Sequence, residues 1–530
     1  MRTINVGHSL LALSTLATSL FLNDARADDW PMFGRNRSRN AVSPETFAPP
    51  TDWDVGKYDE KRGQWIGSRN VVWAARLGGQ TFGDPVVADG QVWVGINNFL
   101  PPNNKNDASV LAGFATRDGK PLYRYVSNRL PQGRGYDWPS SAMACSPLIE
   151  GERMWFVTNR CETVCLDLGP LKRGEAQPRD VWKIDMIRDF GVKPAGSRMA
   201  LCHFCSISSY KDLIYVITGN GVDDSYVTIP VPQAPSVICF NKNTGEAVWQ
   251  DNSPGANIID GQWSSPLVIE TDDVAQVVTP QGDGWLRSFE ALSGRPIWKF
   301  DINLKMSKLA LGGRGTRNNI LATPVLHEGR VYVASGQYAE HGEGPGRLVC
   351  LDPTKTGDIS SELAVDASGQ PLPEDRMQTV DPAKGQRAVP NPNSGLVWEY
   401  TRSDRNGNGK IEFEEEFHRT HGNVAIKDNL LVVADGSGLM HCLDAKSGKV
   451  HWTHDSFAAV YASPLIVGDK VYLANEDGNV QILRLAAEPQ MPLAEIGMDG
   501  GSIYTAPIFA NGVLYVATRS WLFAITEPPK

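Results

Sequence analysis

The sequence predicts an all-β protein, an eight-bladed β-propeller, and three observations carry this prediction. Two short strand patterns recur along the chain, and complementary incomplete copies of the repeat stand at its two ends. The 530 residues and the 41% hydrophobic content would also allow two or three separate domains. Repetition along most of the chain favours one repeat structure instead.

The first pattern is a hairpin. A small or polar residue, usually followed by proline, precedes an apolar strand, a turn and a second apolar strand, as in SPLIVGDKVYL from Ser463. Eight such units follow one another, and they begin at Asp84, Ser146, Ser206, Ser265, Thr323, Asn423, Ser463 and Ala506.

The second pattern completes each unit. It is an apolar strand, a glycine-containing turn and a strand that often ends in tryptophan, as in FNKNTGEAVW ending at Trp249. Asn, Asp and Ser beside Gly suit the positive-φ positions of tight hairpins, and an indole is large enough to pack between neighbouring sheets. The two patterns give four strands per unit, and such units repeated around an axis form a propeller. An open solenoid or two separate sandwiches is the alternative.

The two ends of the repeat region predict how the ring closes. Residues 521–526 resemble a third strand with no fourth strand after it, and residues 71–73 resemble a fourth strand with no blade before it. We therefore expect the propeller to span residues 71–526, with the N-terminal strand completing the last blade.

Three segments lie outside this repeat. Residues 1–27 resemble a signal peptide, with an apolar run too short to span a bilayer and a small-x-small site at Ala25-Arg26-Ala27; an uncleaved anchor is the alternative. Residues 28–70 are an N-terminal extension, and residues 353–421 are an insertion in the fifth blade. We expect an exported protein, periplasmic or extracellular, with no transmembrane span in the mature chain. The net charge of −9 argues against nucleic-acid binding.

The eight cysteines fall into two groups. Cys165, Cys239, Cys350 and Cys442 occupy the same third-strand position of four units. Equivalent positions in different blades are too far apart to bond, so these four are predicted to be core residues. The others lie near strand ends of the second and third units, where one or two disulfides could link the two blades; they are Cys145, Cys161, Cys202 and Cys205.

Polar residues follow the second strand of every unit, at Asn98, Arg160, Asn220, Gln281, Gln337, Ser437, Asp477 and Ser520. Either these strand ends are polar because they meet water, or they converge on a ligand at the mouth of the central channel. Loops carrying Asp260 and Trp263 are expected on the same face. The candidate ligand-binding residues are Arg160, Gly219, Asn220, Trp263, Gln281 and Gln337.

The repeats resemble the pyrroloquinoline-quinone (PQQ) repeat of quinoprotein dehydrogenases, and the turn-tryptophan elements at Trp249, Trp298 and Trp452 resemble that family's tryptophan-docking motifs. The same repeat occurs in non-enzymatic propellers, including a lipoprotein scaffold of outer-membrane barrel assembly. The segment Trp30-Pro31-Met32-Phe33 and the motif Gly261-Gln262-Trp263-Ser264 are similar to those of exported PQQ-like propellers without an established reaction.

In the enzymatic branch, the resemblance implies a calcium ion that holds the quinone. Thr218-Gly219-Asn220 matches the segment that supplies one calcium ligand, and Asp260 is a loose match for the general base that takes the alcohol proton. The family's glutamate ligand from an earlier blade has no counterpart that we can place, and its vicinal cysteine pair is absent.

A second calcium candidate is independent of that resemblance. Residues 404–415, DRNGNGKIEFEE, match an EF-hand loop, with Gly409 at position 6 and an apolar residue at position 8. Position 7 would contribute a backbone carbonyl. The alternative is an acidic solvated loop. The expected ligands are Asp404, Asn406, Asn408, Lys410, Glu412 and Glu415.

These observations lead to three functional hypotheses. The leading one is an extracytoplasmic binding module, stabilised by calcium, that holds a small molecule, a protein or a glycan at one propeller face. The first alternative is a PQQ- and calcium-dependent dehydrogenase acting on an alcohol or sugar. The second is a protein-interaction scaffold that uses the opposite face and is similar to the barrel-assembly propeller.

Overall fold

The computed structural model describes residues 28–98, 108–128, 142–194, 204–223, 225, 227–270, 274–310, 315–336, 344–375, 379–489 and 491–527. The predicted signal peptide, residues 1–27, lies outside them. The described chain forms eight antiparallel blades of four strands, two of which gain a fifth, parallel strand, and this confirms the eight-bladed propeller.

The first four blades use consecutive strands. Blade 1 consists of Val86–Ala88, Gln91–Asn97, Ala108–Ala115 and Pro121–Asn128. Blade 2 consists of Leu148–Glu150, Arg153–Val157, Glu162–Asp167 and Arg179–Asp185. Blade 3 consists of Ser208–Tyr210, Leu213–Ile217, Val237–Asn241 and Ala247–Asp251. Blade 4 consists of Leu267–Ile269, Gln276–Pro280, Trp285–Glu290 and Pro296–Asp301.

The second half of the ring contains the insertion and the closure. Blade 5 consists of Val325–His327, Arg330–Ala334, Leu348–Leu351 and Leu396–Tyr400. Blade 6 consists of Ala425–Lys427, Leu430–Ala434, Leu439–Asp444 and Val450–Asp455. Blade 7 consists of Leu465–Val467, Lys470–Ala474, Asn479–Arg484 and Ala494–Gly497. Blade 8 consists of Ile508–Ala510, Val513–Ala517, Trp521–Ile525 and the N-terminal strand Val71–Arg76.

The closure of the ring is confirmed. Val71–Arg76 pairs antiparallel with Trp521–Ile525, and Trp73 lies opposite Ala524. The first and last parts of the repeat region therefore share one sheet, which leaves no open edge between blades 8 and 1.

Turn chemistry explains the inner hairpins. Asp89 and Gly90 join the first two strands of blade 1 with φ angles of 50° and 74°, and Asn511 and Gly512 do the same in blade 8 with 55° and 74°. Two consecutive positive φ angles define the type I′ turn, whose twist matches that of the flanking strands.

Tryptophans on outer strands join neighbouring blades. The indole of Trp249 donates to the carbonyl oxygen of Ala291 in the next blade at 3.0 Å, and Trp398 donates in the same way to Ala445 at 2.9 Å. A Cβ added to Gly294 would come within 2.6 Å of the Trp249 ring. The glycine of each such turn therefore supplies both the positive φ and the room for the indole.

The N-terminal extension has a course that the sequence analysis did not predict. Residues 28–45 make hydrogen bonds to residues in or beside the first strands around the ring, including Trp30 to Val87 in blade 1 and Ser38 to Leu326 in blade 5. Val42–Ser43 pairs in parallel with Leu465–Val467 in blade 7. First strands form the inner edges of the sheets, so this segment lies inside the central channel.

The insertion consists of two excursions. The first contains Gly357–Asp358, which pairs with the outer strand of blade 4, and a hairpin of Glu362–Val365 with Arg387–Pro390. The blade's own fourth strand, Leu396–Tyr400, then returns to the sheet. The EF-hand-like loop follows that strand.

Helical structure is sparse in the described chain, and no helix there is long and apolar enough to cross a membrane. A separate N-terminal hairpin pairs Lys57–Asp59 with Gln64–Ile66. The short α-helices are Gly169–Lys172 and Met186–Phe190, and the 3-10 turns are Gly255–Asn257, Pro382–Lys384 and Phe413–Glu415.

Candidate functional site

A belt of hydrogen bonds surrounds the channel where the first strands begin. We call the residue two positions before each first strand the entry residue; the eight entry residues are Asp84, Ser146, Ser206, Ser265, Thr323, Asn423, Ser463 and Ala506. From blade 2 to blade 6, the backbone N–H of each entry residue donates to the side-chain oxygen of the next one, at 2.7 to 3.1 Å. The small polar residue that opens each repeat therefore links adjacent blades.

The belt changes character at blades 8 and 1. Ala506 has no side-chain oxygen, but its backbone N–H donates to Asp84 Oδ1 at 2.8 Å. The hydroxyl of Ser146 donates to the backbone carbonyl of Asp84 at 2.9 Å. Asp84 thus places a carboxyl group where the other hydrogen-bonding entry residues carry a neutral side chain.

Above this belt lies a cavity of about 230 Å³ on the propeller axis. A row of rings in mutual contact forms part of its wall: Phe204 and Phe82 have centroids 5.9 Å apart, Phe82 and Tyr504 5.4 Å, and Tyr504 and Tyr461 5.3 Å. His421 extends the row, 5.2 Å from Tyr461. We call these five residues the aromatic collar. Trp263 and Phe33 also line the cavity.

The N-terminal segment bounds the cavity from within the channel. Phe33 lines the cavity, and the guanidinium carbon of Arg39 lies 5.7 Å from the Phe33 ring centroid. Arg39 is fully buried and donates to the carbonyl oxygens of Phe33, Ser206, Ile207 and Pro266. Burial lowers the pKa of Arg39 to about 9, which leaves the group charged at neutral pH.

Two carboxyl groups reach the cavity. Burial raises the pKa of Asp84 from its ordinary value of 3.8 to about 7, and the hydrogen bond from Ala506 opposes that shift. Glu476 accepts a hydrogen bond from the Tyr504 hydroxyl at 3.0 Å. Burial lowers the pKa of His421 to about 4, so its imidazole is neutral at pH 7.

Of the residues predicted from the sequence to bind a ligand, Trp263 lines this cavity. Gly219 adopts a φ of 71°, and the next residue, Asn220, is buried. The Asn220 side chain accepts from the backbone N–H of Lys193 at 3.0 Å and donates to the carbonyl of Val231 at 3.1 Å. Asn220 therefore ties together two loops.

Gln281 and Arg160, two further predicted residues, are not among the described residues that line the cavity. Gln281 is buried and donates to Asp251 at 2.8 Å, and its amide oxygen accepts from Arg287, which also pairs with Asp283. Arg160 donates to the carbonyl of Asn128 at 3.4 Å.

Asp260 is 8% exposed, and its backbone carbonyl accepts from Val222 at 2.9 Å. Gln337 lies outside the described residues. The site that the sequence predicts at second-strand ends is therefore distinct from the cavity at the first-strand entries.

The structure bears on both groups of cysteines, and a disulfide at Cys161 agrees with the expectation of one or two disulfides. The four predicted core thiols are buried and unbonded, which is confirmed. Cys161 is disulfide-bonded, whereas Cys145 and Cys205 are buried free thiols. The Cys205 thiol instead contacts the carbonyl of Gln262 at 3.3 Å, and the Cys145 sulfur accepts from the N–H of Val157 at 3.4 Å. Cys202 lies outside the described residues.

The EF-hand-like loop is wound around its acidic side chains. Asp404 accepts from the backbone N–H groups of Gly407 at 2.7 Å and Gly409 at 2.8 Å. Glu415 accepts from the N–H of Arg405 at 2.8 Å and is buried. A hydrogen bond between the carboxyl groups of Glu415 and Glu412 is the main cause of a lowered pKa of Glu415.

Comparison with known proteins agrees with the repeats. Residues 282–410 and 387–488 match the profile of a PQQ-repeat family described as outer membrane protein assembly factor BamB. BamB of Shewanella oneidensis is 20% identical over 348 residues, covering 59% of this chain and 78% of that protein.

Two solved structures share the fold. BamB from Moraxella catarrhalis superposes with a TM-score of 0.52 at 13% identity, covering 86% of this chain and 99% of that one. The quinohemoprotein alcohol dehydrogenase from Comamonas testosteroni gives 0.57 at 14% identity, covering 96% and 82%. Part of the chain therefore matches a PQQ-repeat family, and the described chain shares its β-propeller fold with these two structures.

Proposed function

We propose that this protein is an extracytoplasmic binding module that holds a ligand in the axial cavity. The observation that carries the proposal is the cavity itself, which is lined by aromatic rings and bordered by the belt of entry residues. Concave, largely apolar sites with a few placed polar groups are the usual form of a small-molecule site. Export is supported by the signal-like residues 1–27 and by the match to a protein named as an outer-membrane assembly factor.

The residues around the cavity do not fit PQQ. This cofactor carries three carboxyl groups, whereas the described lining contains two carboxyl groups of its own and no lysine or arginine. Like charges at short distance in a poorly solvated site repel strongly. Asn220, the matched calcium ligand of the enzymatic branch, uses its side chain to join loops. We therefore favour binding without quinone chemistry.

A scaffold function is the second candidate, and one surface feature favours it. Phe457 is 85% exposed in the loop between blades 6 and 7, and Tyr461 of the aromatic collar lies in the same loop. A protein partner is in keeping with the name of the similar BamB protein, an outer membrane protein assembly factor. A partner could then contact Phe457 while one of its side chains occupies the cavity.

Calcium at residues 404–415 is the second part of the proposal. Asp404, Asn406, Asn408, Glu412 and Glu415 offer only oxygen donors from their side chains, the chemistry that Ca²⁺ prefers. Two carboxyl groups in contact, Glu412 and Glu415, need a proton or a cation between them. The residues present therefore fit the ion, and a bound Ca²⁺ would neutralise the loop and stabilise the end of blade 5.

The calcium proposal predicts a stability change. Saturating Ca²⁺, at about 100 times its dissociation constant, should raise the free energy of unfolding by about 2.7 kcal/mol, measured by denaturant unfolding of chelator-treated protein. Glu415→Gln should abolish the increase. Glu414→Gln, a change at an adjacent exposed carboxylate, should preserve it. An equal response of both variants would assign calcium to another place.

A titration with PQQ separates the binding module from the dehydrogenase. We expect no calcium-dependent PQQ binding by calorimetry. Micromolar or tighter binding that requires Ca²⁺ and is lost in Asn220→Ala would overturn the proposal and favour a quinoprotein enzyme.

A further inference from the structure

We propose that the axial cavity binds a small organic cation, a primary or quaternary ammonium group, with Asp84 as its counter-charge and the aromatic collar as its cage. This inference rests on the proposed function and names the ligand class. Charge, ring chemistry, hydrogen bonding and cavity size each support it.

The charge of the wall has one sign. Asp84 and Glu476 both line the cavity, and the described lining residues include no lysine or arginine. His421, the remaining basic residue there, is held neutral by burial. A cation that enters therefore meets two carboxyl groups in the described wall, whereas the nearby charge of Arg39 lies behind Phe33 and is engaged by backbone carbonyl oxygens.

The rings supply the second element of a cation site. Phe204, Phe82, Tyr504 and Tyr461 form a continuous row with centroids 5.3 to 5.9 Å apart, and Trp263 lines the same space. The negative face of an aromatic ring attracts a cation, and several rings around one space form the cage that recognises methylated ammonium groups.

Asp84 is incompletely hydrogen-bonded by the protein. One carboxyl oxygen accepts from Ala506, and the described residues provide no donor to the other. Glu476, in contrast, receives the Tyr504 hydroxyl. A partly buried carboxyl group with an unused oxygen is costly to ionise, which agrees with its raised pKa. An ammonium N–H or a quaternary ammonium charge beside that oxygen would offset the cost.

The size of the cavity limits the ligand. Its volume of about 230 Å³ is below the range of roughly 300–1,000 Å³ that is usual for drug-sized ligands. The N-terminal segment lies across the channel next to it, with Phe33 in the cavity wall and Arg39 packed behind. The cavity therefore suits a compact headgroup that enters from the face carrying the collar.

The test compares two molecules of one shape by calorimetry on the intact mature protein at pH 8, where Asp84 is ionised. Choline should bind at least about tenfold more tightly than neohexanol, its uncharged carbon isostere. Asp84→Asn should weaken choline binding by about tenfold and leave neohexanol unchanged. Asp477→Asn, which removes an exposed carboxylate beside Glu476, should leave both unchanged.

The other possible results distinguish failure of the cation inference from failure of the proposed binding function. Equal binding of choline and neohexanol would overturn the cation inference and leave the binding function in place, whereas no binding of either at millimolar concentration would overturn both. If Asp84→Asn fails to fold, Glu476→Gln tests the second carboxyl group, and the comparison of the two ligands needs no variant. Nα-acetyl-lysine amide carries a free ε-ammonium group. If it binds more tightly than choline, the cation is assigned to the side chain of a protein partner rather than to a free small molecule.

Discussion

Two charged groups at neighbouring levels of the same channel, Arg39 and the partly buried Asp84, are treated in opposite ways. Arg39 is 0% exposed and is surrounded by carbonyl oxygens from Phe33, Ser206, Ile207 and Pro266. Asp84 receives one backbone hydrogen bond on its carboxyl group and faces an open cavity. The first charge is satisfied by the fold, and the second is not.

This difference distinguishes a charge that stabilises the fold, that of Arg39, from one that is available to a ligand, that of Asp84. The guanidinium group of Arg39 joins the N-terminal segment to blades 3 and 4, so its desolvation is offset by hydrogen bonds within the protein. The carboxyl group of Asp84 links blade 8 to blade 1 through only one of its oxygens. A neutral residue would make that link without the cost of burying a charge, as the serines of the other blades do.

The largest expected effect is at Arg39. Arg39→Met should lower the free energy of unfolding by roughly 3–5 kcal/mol, because it leaves several buried carbonyl oxygens without donors. Denaturant unfolding measures the change. The matched control is Arg37→Met, because Arg37 is an exposed arginine of the same segment whose ion pair with Glu270 is also exposed; its loss should cost less than about 1 kcal/mol. Similar losses in the two variants would remove the structural role assigned to Arg39.

The next effect is of opposite sign. Asp84→Asn should stabilise the ligand-free protein by roughly 2–4 kcal/mol at pH 8. The asparagine can still accept from Ala506, and the cost of ionising a buried carboxyl group disappears. Denaturant unfolding at several pH values measures this gain, with the exposed change Asp477→Asn as the control.

The pH dependence follows from the raised pKa. The folded protein holds the Asp84 proton up to about pH 7, whereas the unfolded chain releases it near the ordinary value. Wild-type stability is therefore lost as pH rises between those values, and the advantage of the variant grows over the same range. The cavity is also lined by the titratable residues Glu476, His421, Tyr461 and Tyr504. These residues are the same in both proteins, so the difference in stability between variant and wild type reports on Asp84. A gain that is constant from pH 5 to pH 8 would contradict this account.

The blades could be predicted from the sequence because their determinants are local and repeated. A turn such as Asp89-Gly90 specifies its hairpin, and the half-repeats at residues 71–73 and 521–526 specify the closure. The path of residues 28–45 could not be predicted in the same way. That segment occurs once, and it binds backbone edges of first strands, which leave no side-chain pattern in the sequence.

The candidate site was only partly readable. Polar residues after second strands predicted a site at Asn220 and Gln281, but the structure engages both side chains in hydrogen bonds to neighbouring segments of the protein. Trp263 was identified because its motif is similar to that of related propellers. The sequence does contain a feature that could predict Asp84, because among the eight entry residues it alone carries a carboxyl group. The aromatic collar brings together rings from distant blades, and only the folded ring shows that they meet.

The smallest expected effect is at the mouth of the cavity, where the question is again whether the protein itself compensates an unfavourable local feature. Phe457 has a φ of 58° and is 85% exposed, so it carries backbone strain without burying its ring. Phe457→Asn should stabilise the protein by up to about 1 kcal/mol, since asparagine tolerates this conformation. Met491→Asn is the control for replacing an exposed apolar side chain, because Met491 is equally exposed. Thermal unfolding of both variants measures the difference. A stabilised Phe457→Asn variant would mean that the wild-type chain retains a strained, exposed ring at the ligand face, which favours a contact made by that ring. A destabilised one would show that the ring supports its own loop.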